Sequence, residues 1–162
     1  MTRLQGSKCR LLVSQQPDAT EVLDFLSSGL EVGQQIIVMA SPGRLKDLAQ
    51  SLRAMRLRPD ILLRNGRAIF LTAPECFRRL ERPDALRLNG SVVRWVSDWS
   101  WAYENGHSLE DILGYQRSIH GRIHELTALS LCTVHCSRLE RSSMLQMLGQ
   151  HRRALRSILQ AV

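Results

Sequence analysis

Lysine is nearly missing from this chain: of 22 basic residues only Lys8 and Lys46 are lysines, and the rest are arginines. The net charge is +7, yet no five basic residues run together and aromatics make up only 5% of the chain. Nucleic-acid surfaces are built from clustered charge and stacking platforms, so nucleic acid is not an expected partner. The excess charge is read as solvated helix faces. The alternative is an arginine-driven binder of nucleic acid or cyclic dinucleotides, through Arg78-Arg79-x-x-Arg82 and Arg152-Arg153. Cysteine is scarce too. Cys9, Cys76, Cys132 and Cys136 form no Cys-x-x-Cys pair, which fits reduced thiols rather than a disulfide framework. Met1 to Lys8 is polar and lacks the apolar core of a secretory signal, and no apolar run is long enough to span a bilayer. A cytoplasmic protein without membrane contact is expected.

Another absence bears on chemistry. A phosphate-binding loop needs glycines, so that backbone N–H groups can wrap phosphate oxygens, and a lysine for their charge. The loop after the first apolar run is Ser14-Gln15-Gln16-Pro17-Asp18-Ala19-Thr20. It holds neither residue type, and Asp18 would repel phosphate. ATP binding in the usual mode is not expected on that ground, and a residual nucleotide hydrolase using Asp98 stands as a second alternative function. No Ser/His/Asp set or carboxylate pair stands out either, so no catalytic residues are assigned. Cys136 beside His135 makes a poor nucleophile pair, because adjacent strand residues face opposite ways.

What is present is an ordinary globular composition, with 44% hydrophobic residues in 162 positions, enough for one domain with its own core. Short apolar runs alternate with helix-patterned segments. Strands are expected at Arg10–Val13, Ile36–Ala40, Ala68–Leu71, Val92–Val96 and Leu129–Val134. A helix capped by Asp18 carries Val22, Phe25, Leu26 and Leu30 on one side and ends around Gly29 and Gly33. Ser41-Pro42 opens the next helix, with Leu45, Leu48, Leu52 and Met55 as its stripe. Ile61–Leu63 forms a short turn ended by Asn65-Gly66, and an irregular helical stretch from Pro74 to Asn89 breaks near Pro83. Trp99 to Gly106 is expected as an aromatic-rich loop. Ser108 then caps a long helix bearing Ile112, Leu113, Ile119, Ile123 and Leu126, and one or two helices follow from Ser142.

Strands separated by helices need crossovers, which gives a mainly parallel sheet of about five or more strands between two helical layers, an α/β/α sandwich. Residues 1–8 are a tail, 9–150 the domain, and 151–162 a helical extension of it. Ligands of such sheets sit beyond the carboxyl ends of the strands. There the sequence offers Asp98 at a strand end, with Trp99, Trp101 and Tyr103 beside it as pocket or interface aromatics. The carboxylate has two readings, a magnesium ligand and a cap. Without a phosphate loop, the cap is preferred. Arg94 is the expected counter-charge, and Ser14, Gln15, Gln16 and Asp18 complete the candidate rim. His120-x3-His124 with Cys132-x3-Cys136 and His135 raises a zinc site. Cysteines four apart on a strand are separated by about 13 Å, too far for one ion, so no metal or other cofactor is expected. The C-terminal stripe of Met144, Leu148, Leu155, Ile158 and Leu159 is read as packing on its own domain, with a homodimer as the alternative.

Several ordered features resemble one family. Gly29-Leu30-Glu31-Val32-Gly33-Gln34 before an apolar strand is similar to the Gly-Leu-x-x-Gly-Glu step of MEDS domains, methanogen/methylotroph sensory domains. Arg94 to Trp101 resembles that family's Arg-x-x-x-Glu-x-Ser-Trp strand end. Tyr115-Gln116 matches a Tyr-Glu pair, Leu131–Val134 an apolar Leu-Cys-x-Tyr strand, and His151 a terminal histidine. The likeness runs from about residue 9 to 152. Gln34, Asp98 and Gln116 stand where the family carries glutamate. The resemblance implies a RecA/KaiC-like fold that has lost its phosphate loop, with Asp98 at the magnesium-carboxylate position. It also implies a non-catalytic input module. Its partners would be a small ligand and a signalling protein such as a histidine kinase, response regulator or transcription regulator.

Overall fold

The computed structural model describes residues 9–14, 19–126 and 128–135. Five strands form one sheet, β1 (Cys9–Ser14), β2 (Gln35–Met39), β3 (Ala68–Leu71), β4 (Val93–Asp98) and β5 (Ala128–His135). They lie in the order β1-β5-β4-β2-β3, and all four pairings are parallel. All five residues of β2 are buried, as expected of a strand covered on both faces. The expected parallel three-layer architecture is thus the observed one.

Helices α1 (Thr20–Glu31), α2 (Pro42–Ala54) and α3 (Pro59–Arg64) cover one face. They bury Val22, Leu26, Leu30, Leu48, Leu52 and Leu62 against Ile36, Val38, Val96 and Leu131. On the opposite face lie α4 (Ala73–Leu80), a 3-10 turn (Pro83–Leu86), α5 (Ser100–Glu104) and α6 (Leu109–His124). Here Cys76, Leu80, Ala102, Ile112, Ile119 and Ile123 pack on Ile37, Met39, Trp95 and Val134. Alternate residues of one strand enter opposite cores, so Trp95 and Val96 belong to different layers.

Local signals explain the element ends. Ser41 caps α2 by accepting from Arg44 N, with Pro42 at the first helical position. Ser108 and Asp111 form a capping box at the start of α6. The C-terminus of α1 closes in a Schellman pair, with Gly33 N–H donating to Leu30 O and Gln34 N–H to Gly29 O, and with Gly33 at φ 78°.

Three expectations need correction. Helix α1 starts at Thr20 with Ala19 in the cap position, and Ala19 supplies no side-chain acceptor; Asp18 lies outside the described residues. Met55 is 42% exposed rather than part of the α2 stripe, because the helix stops at Ala54. As expected, the Pro74–Asn89 stretch is broken near Pro83, which opens a 3-10 turn separate from α4. The aromatic segment after β4 is the helix α5, closed by a second Schellman pair from Gly106 N–H to Tyr103 O and from His107 N–H to Ala102 O. The terminal helices expected from Ser142 lie outside the described residues. No helix of the described residues is long and apolar enough to cross a membrane.

Candidate functional site

The chain steps outward from β2 to β3 in one direction and from β4 to β5 in the other. The crevice where those directions part lies beyond the carboxyl ends of β2 and β4, where open α/β sheets take their ligands. A cleft of about 90 Å³ opens there. Its floor is Val38, Ala40, Val96 and Thr133, α1 contributes Val22, and α2 contributes Arg44, Asp47, Leu48 and Ser51. Asp98, 6% exposed, closes one side.

Asp98 ends β4 with its two oxygens in different roles. Oδ1 accepts from the N–H and the hydroxyl of Ser100, at 3.0 and 2.5 Å, and so holds the first turn of α5. Oδ2 stands 4.0 Å from Arg44 Nε. That distance attracts charge but leaves no direct hydrogen bond, so a polar group could bridge the two side chains. The carboxylate thus accepts hydrogen bonds at the start of α5, while Trp99 holds the N-cap position. The charge beside the carboxylate is Arg44 and not Arg94.

Arg94 works elsewhere. It precedes Asp98 by four strand positions, about 13 Å along β4. Its Nε donates to Gln34 Oε1 at 2.7 Å, its Nη1 donates to Phe25 O at 3.2 Å, and its guanidinium lies 4.9 Å from the Phe25 ring centre. A Cβ on Gly29 would come within 2.5 Å of Arg94 Cγ.

The aromatics lie on the other side of the sheet. Trp99 is fully buried, continues the ladder by donating its N–H to Thr133 O at 2.8 Å, and belongs to the core. Trp101, half-buried, packs on Trp99, His107 and Tyr115 at ring separations of 6.3, 5.3 and 6.1 Å, and Phe77 joins Tyr115 at 5.4 Å. Tyr103 is half-buried against the same core. The indole N–H groups of Trp99 and Trp101 and both amide atoms of Gln116 are buried with no hydrogen-bond partner among the described residues. The structure thus separates the predicted site into a polar cleft at Asp98 and an aromatic block linked to it through Ser100 and α5.

Ser14 ends β1 opposite His135 in the register. Gln15, Gln16 and Asp18 lie outside the described residues, as do Cys136 and His151. Of the residues raised for zinc, His120 Nε2 approaches Cys132 Sγ at 3.2 Å, and among the described residues no three metal-ligating side chains gather. Sequence reasoning missed Arg44, Asp47 and Ser51. The usable signal was close by: Arg44 lies five residues past the end of β2, in the first turn of α2, and lines the cleft.

Residues 11–152 match the family model of the MEDS domain, described as the methanogen/methylotroph, DcmR sensory domain. The chain belongs to the MEDS family. No curated protein matches it closely enough to count as a relative. In this MEDS domain the motifs gain physical meaning. The Gly-Leu-x-x-Gly step is the C-cap of α1, with Gly29 as the gap that admits Arg94 and Gln34 as its hydrogen-bond partner. The arginine of the strand motif therefore staples that cap to the central strand, while the acidic residue at the strand's far end faces the cleft.

Proposed function

We propose that this MEDS domain is a non-catalytic input module that takes a small ligand in the cleft between β2 and β4. The 4.0 Å gap between Arg44 Nε and Asp98 Oδ2 carries the reading. At about 90 Å³, room for about three waters, the cleft suits a ligand of a few heavy atoms; one with both a donor and an acceptor would complete the pair beside Val22, Val38, Ala40 and Val96. Because Asp98 also holds Ser100, a ligand that draws on its charge would pull on the start of α5. The stacked block of Trp101, His107 and Tyr115 would then carry that shift to the surface. A signalling protein would read it.

Relatedness to RecA/KaiC-type ATPases would place a magnesium carboxylate at Asp98. Here that carboxylate is spoken for by Ser100 and balanced by Arg44, and the loop after β1 has neither glycine nor lysine. Both facts favour reporting over turnover. The test is a fragment screen by NMR on isotopically labelled protein, run beside ATP with magnesium. Fragments should perturb Ala40, Arg44 and Ser97–Ser100, and Arg44→Ala should abolish those shifts. Saturable ATP binding with phosphate release would sink the proposal, and so would fragments that bind only elsewhere.

A further inference from the structure

At the opposite end of the strands lies a larger groove of about 750 Å³. It borders β3, which pairs only with β2 among the described residues and so forms an edge of the sheet. Its apolar lining is Leu63, Ala68, Ile69, Phe70 and Leu86, and Leu63 is 42% exposed. Its charged lining is Arg64, Arg79 and Arg87, with no carboxylate among the lining residues. Arg79 is held by Glu75 at 2.9 Å, whereas Arg87 makes no ion pair among the described residues and Arg64 feels only the more distant charge of Asp60. Arg87 sits at φ 51°, a left-handed conformation that costs a non-glycine residue energy and fixes where its side chain leaves the chain. Its carbonyl is pinned by the Gln35 amide at 3.2 Å, and the same amide holds Gly66 O on the groove's other bank at 2.7 Å. The banks are therefore tied together beneath the opening.

We infer that this groove docks an acidic, apolar-anchored peptide segment of a protein partner. Leu63, Ile69 and Phe70 offer apolar surface for side-chain anchors, and Arg64 and Arg87 on the rim suit carboxylates, which arginine can bind through two parallel hydrogen bonds. The groove is distinct from the cleft at Asp98, so either reading can fail without the other.

The experiment is fluorescence anisotropy of the full chain with a labelled peptide alternating glutamate and leucine, and with its lysine counterpart. The acidic peptide should bind, the lysine peptide should not, and affinity should fall with added salt. Arg64→Glu with Arg87→Asn should weaken binding by about tenfold or more. Asparagine is chosen at position 87 because it tolerates the left-handed backbone. Arg117→Glu, outside the groove, should leave the affinity unchanged, and circular dichroism should confirm that each variant folds. Failure to bind the acidic peptide at low salt overturns the inference. So does an equal loss with Arg117→Glu, which would reveal mere net-charge attraction. Equal binding of an oligothymidylate with the same arginine dependence would assign the groove to polyanions at large and overturn the peptide reading.

Discussion

The side chain of Arg94 occupies the space that a Cβ on Gly29 would need, 2.5 Å from Arg94 Cγ, and continues to Gln34 Oε1 at 2.7 Å. Two motifs about sixty residues apart in sequence are thus one structural unit, the clamp that fixes the end of α1 on β4. In an ordinary helix, Gly→Ala gains about 1 kcal/mol from propensity. At position 29 the Arg94 stem must move, and overpacking of that kind costs about 1–3 kcal/mol. Gly29→Ala should therefore lower stability in urea unfolding, and the same change in an Arg94→Ala background should raise it. Additive effects in this double-mutant cycle would show that the two residues do not share the space.

The clamp can also be strengthened. Gln34→Glu would turn a neutral acceptor into a carboxylate facing the Arg94 guanidinium. Charge-assisted hydrogen bonds are stronger than neutral ones, and a gain of about 1 kcal/mol is expected. The thermal midpoint should rise, and the rise should shrink in high salt. A fall would mean that removing the new charge from water costs more than the pairing returns.

At the cleft, Asp98→Asn and Asp98→Ala should part company. Asparagine keeps an oxygen for Ser100, whereas alanine removes the acceptor of the buried Ser100 N–H, at a cost of about 1–3 kcal/mol. Urea unfolding should rank wild type, then asparagine, then alanine, with the larger step at alanine. If both variants lose the same amount, the carboxylate is not holding α5.

Much of this was legible in the sequence. Ile36–Ala40 reads as a covered strand because no polar residue interrupts it, and Ser41-Pro42 and Ser108 announce helix starts by their chemistry. The parallel sheet followed because helices separate the strands. What stayed hidden was tertiary. Arg94 and Asp98 look like neighbours because four residues separate them, but on a strand that spacing is a length rather than a contact. The partner of Asp98 comes from α2, more than fifty residues earlier in the chain, and only the β2–β4 pairing brings Arg44 to it. Trp99 to Gly106 looked like a loop because aromatics and a closing Asn-Gly mask a helix barely over one turn long, whose stability comes from Asp98 and from core packing. Trp99 was expected to line a pocket and instead fills the core, because the strand continues two residues further than its apolar run.

Gln116 offers a test of the aromatic block. Its side chain is fully buried and neither amide atom finds a partner among the described residues. Burying an amide unpaired costs about 1–3 kcal/mol on protein scales. Gln116→Met keeps the length and removes both polar atoms, so the thermal midpoint should rise. A lower midpoint would mean that the amide is bonded after all, to water or to residues beyond those described.

Cys76 gives a prediction in pH. Burial pushes its thiol up to about 12 from an ordinary 9.0, with Glu75 adding to the rise and Arg79 opposing it. Only the thiolate is nucleophilic, so native Cys76 should resist iodoacetamide at pH 8 and react only as the protein unfolds. The same shift links stability to alkali. Below about pH 9 both folded and unfolded chains keep the proton. Between 9 and 12 the unfolded chain gives it up first, so the unfolded state is favoured as pH rises, by up to about 1.4 kcal/mol per pH unit. Urea unfolding across that window should show a decline that is shallower in Cys76→Ala, measured against each protein's own value at pH 8. Identical slopes, or rapid native labelling of the Cys76 peptide by mass spectrometry, would show that this thiol is not sealed on the buried face of α4.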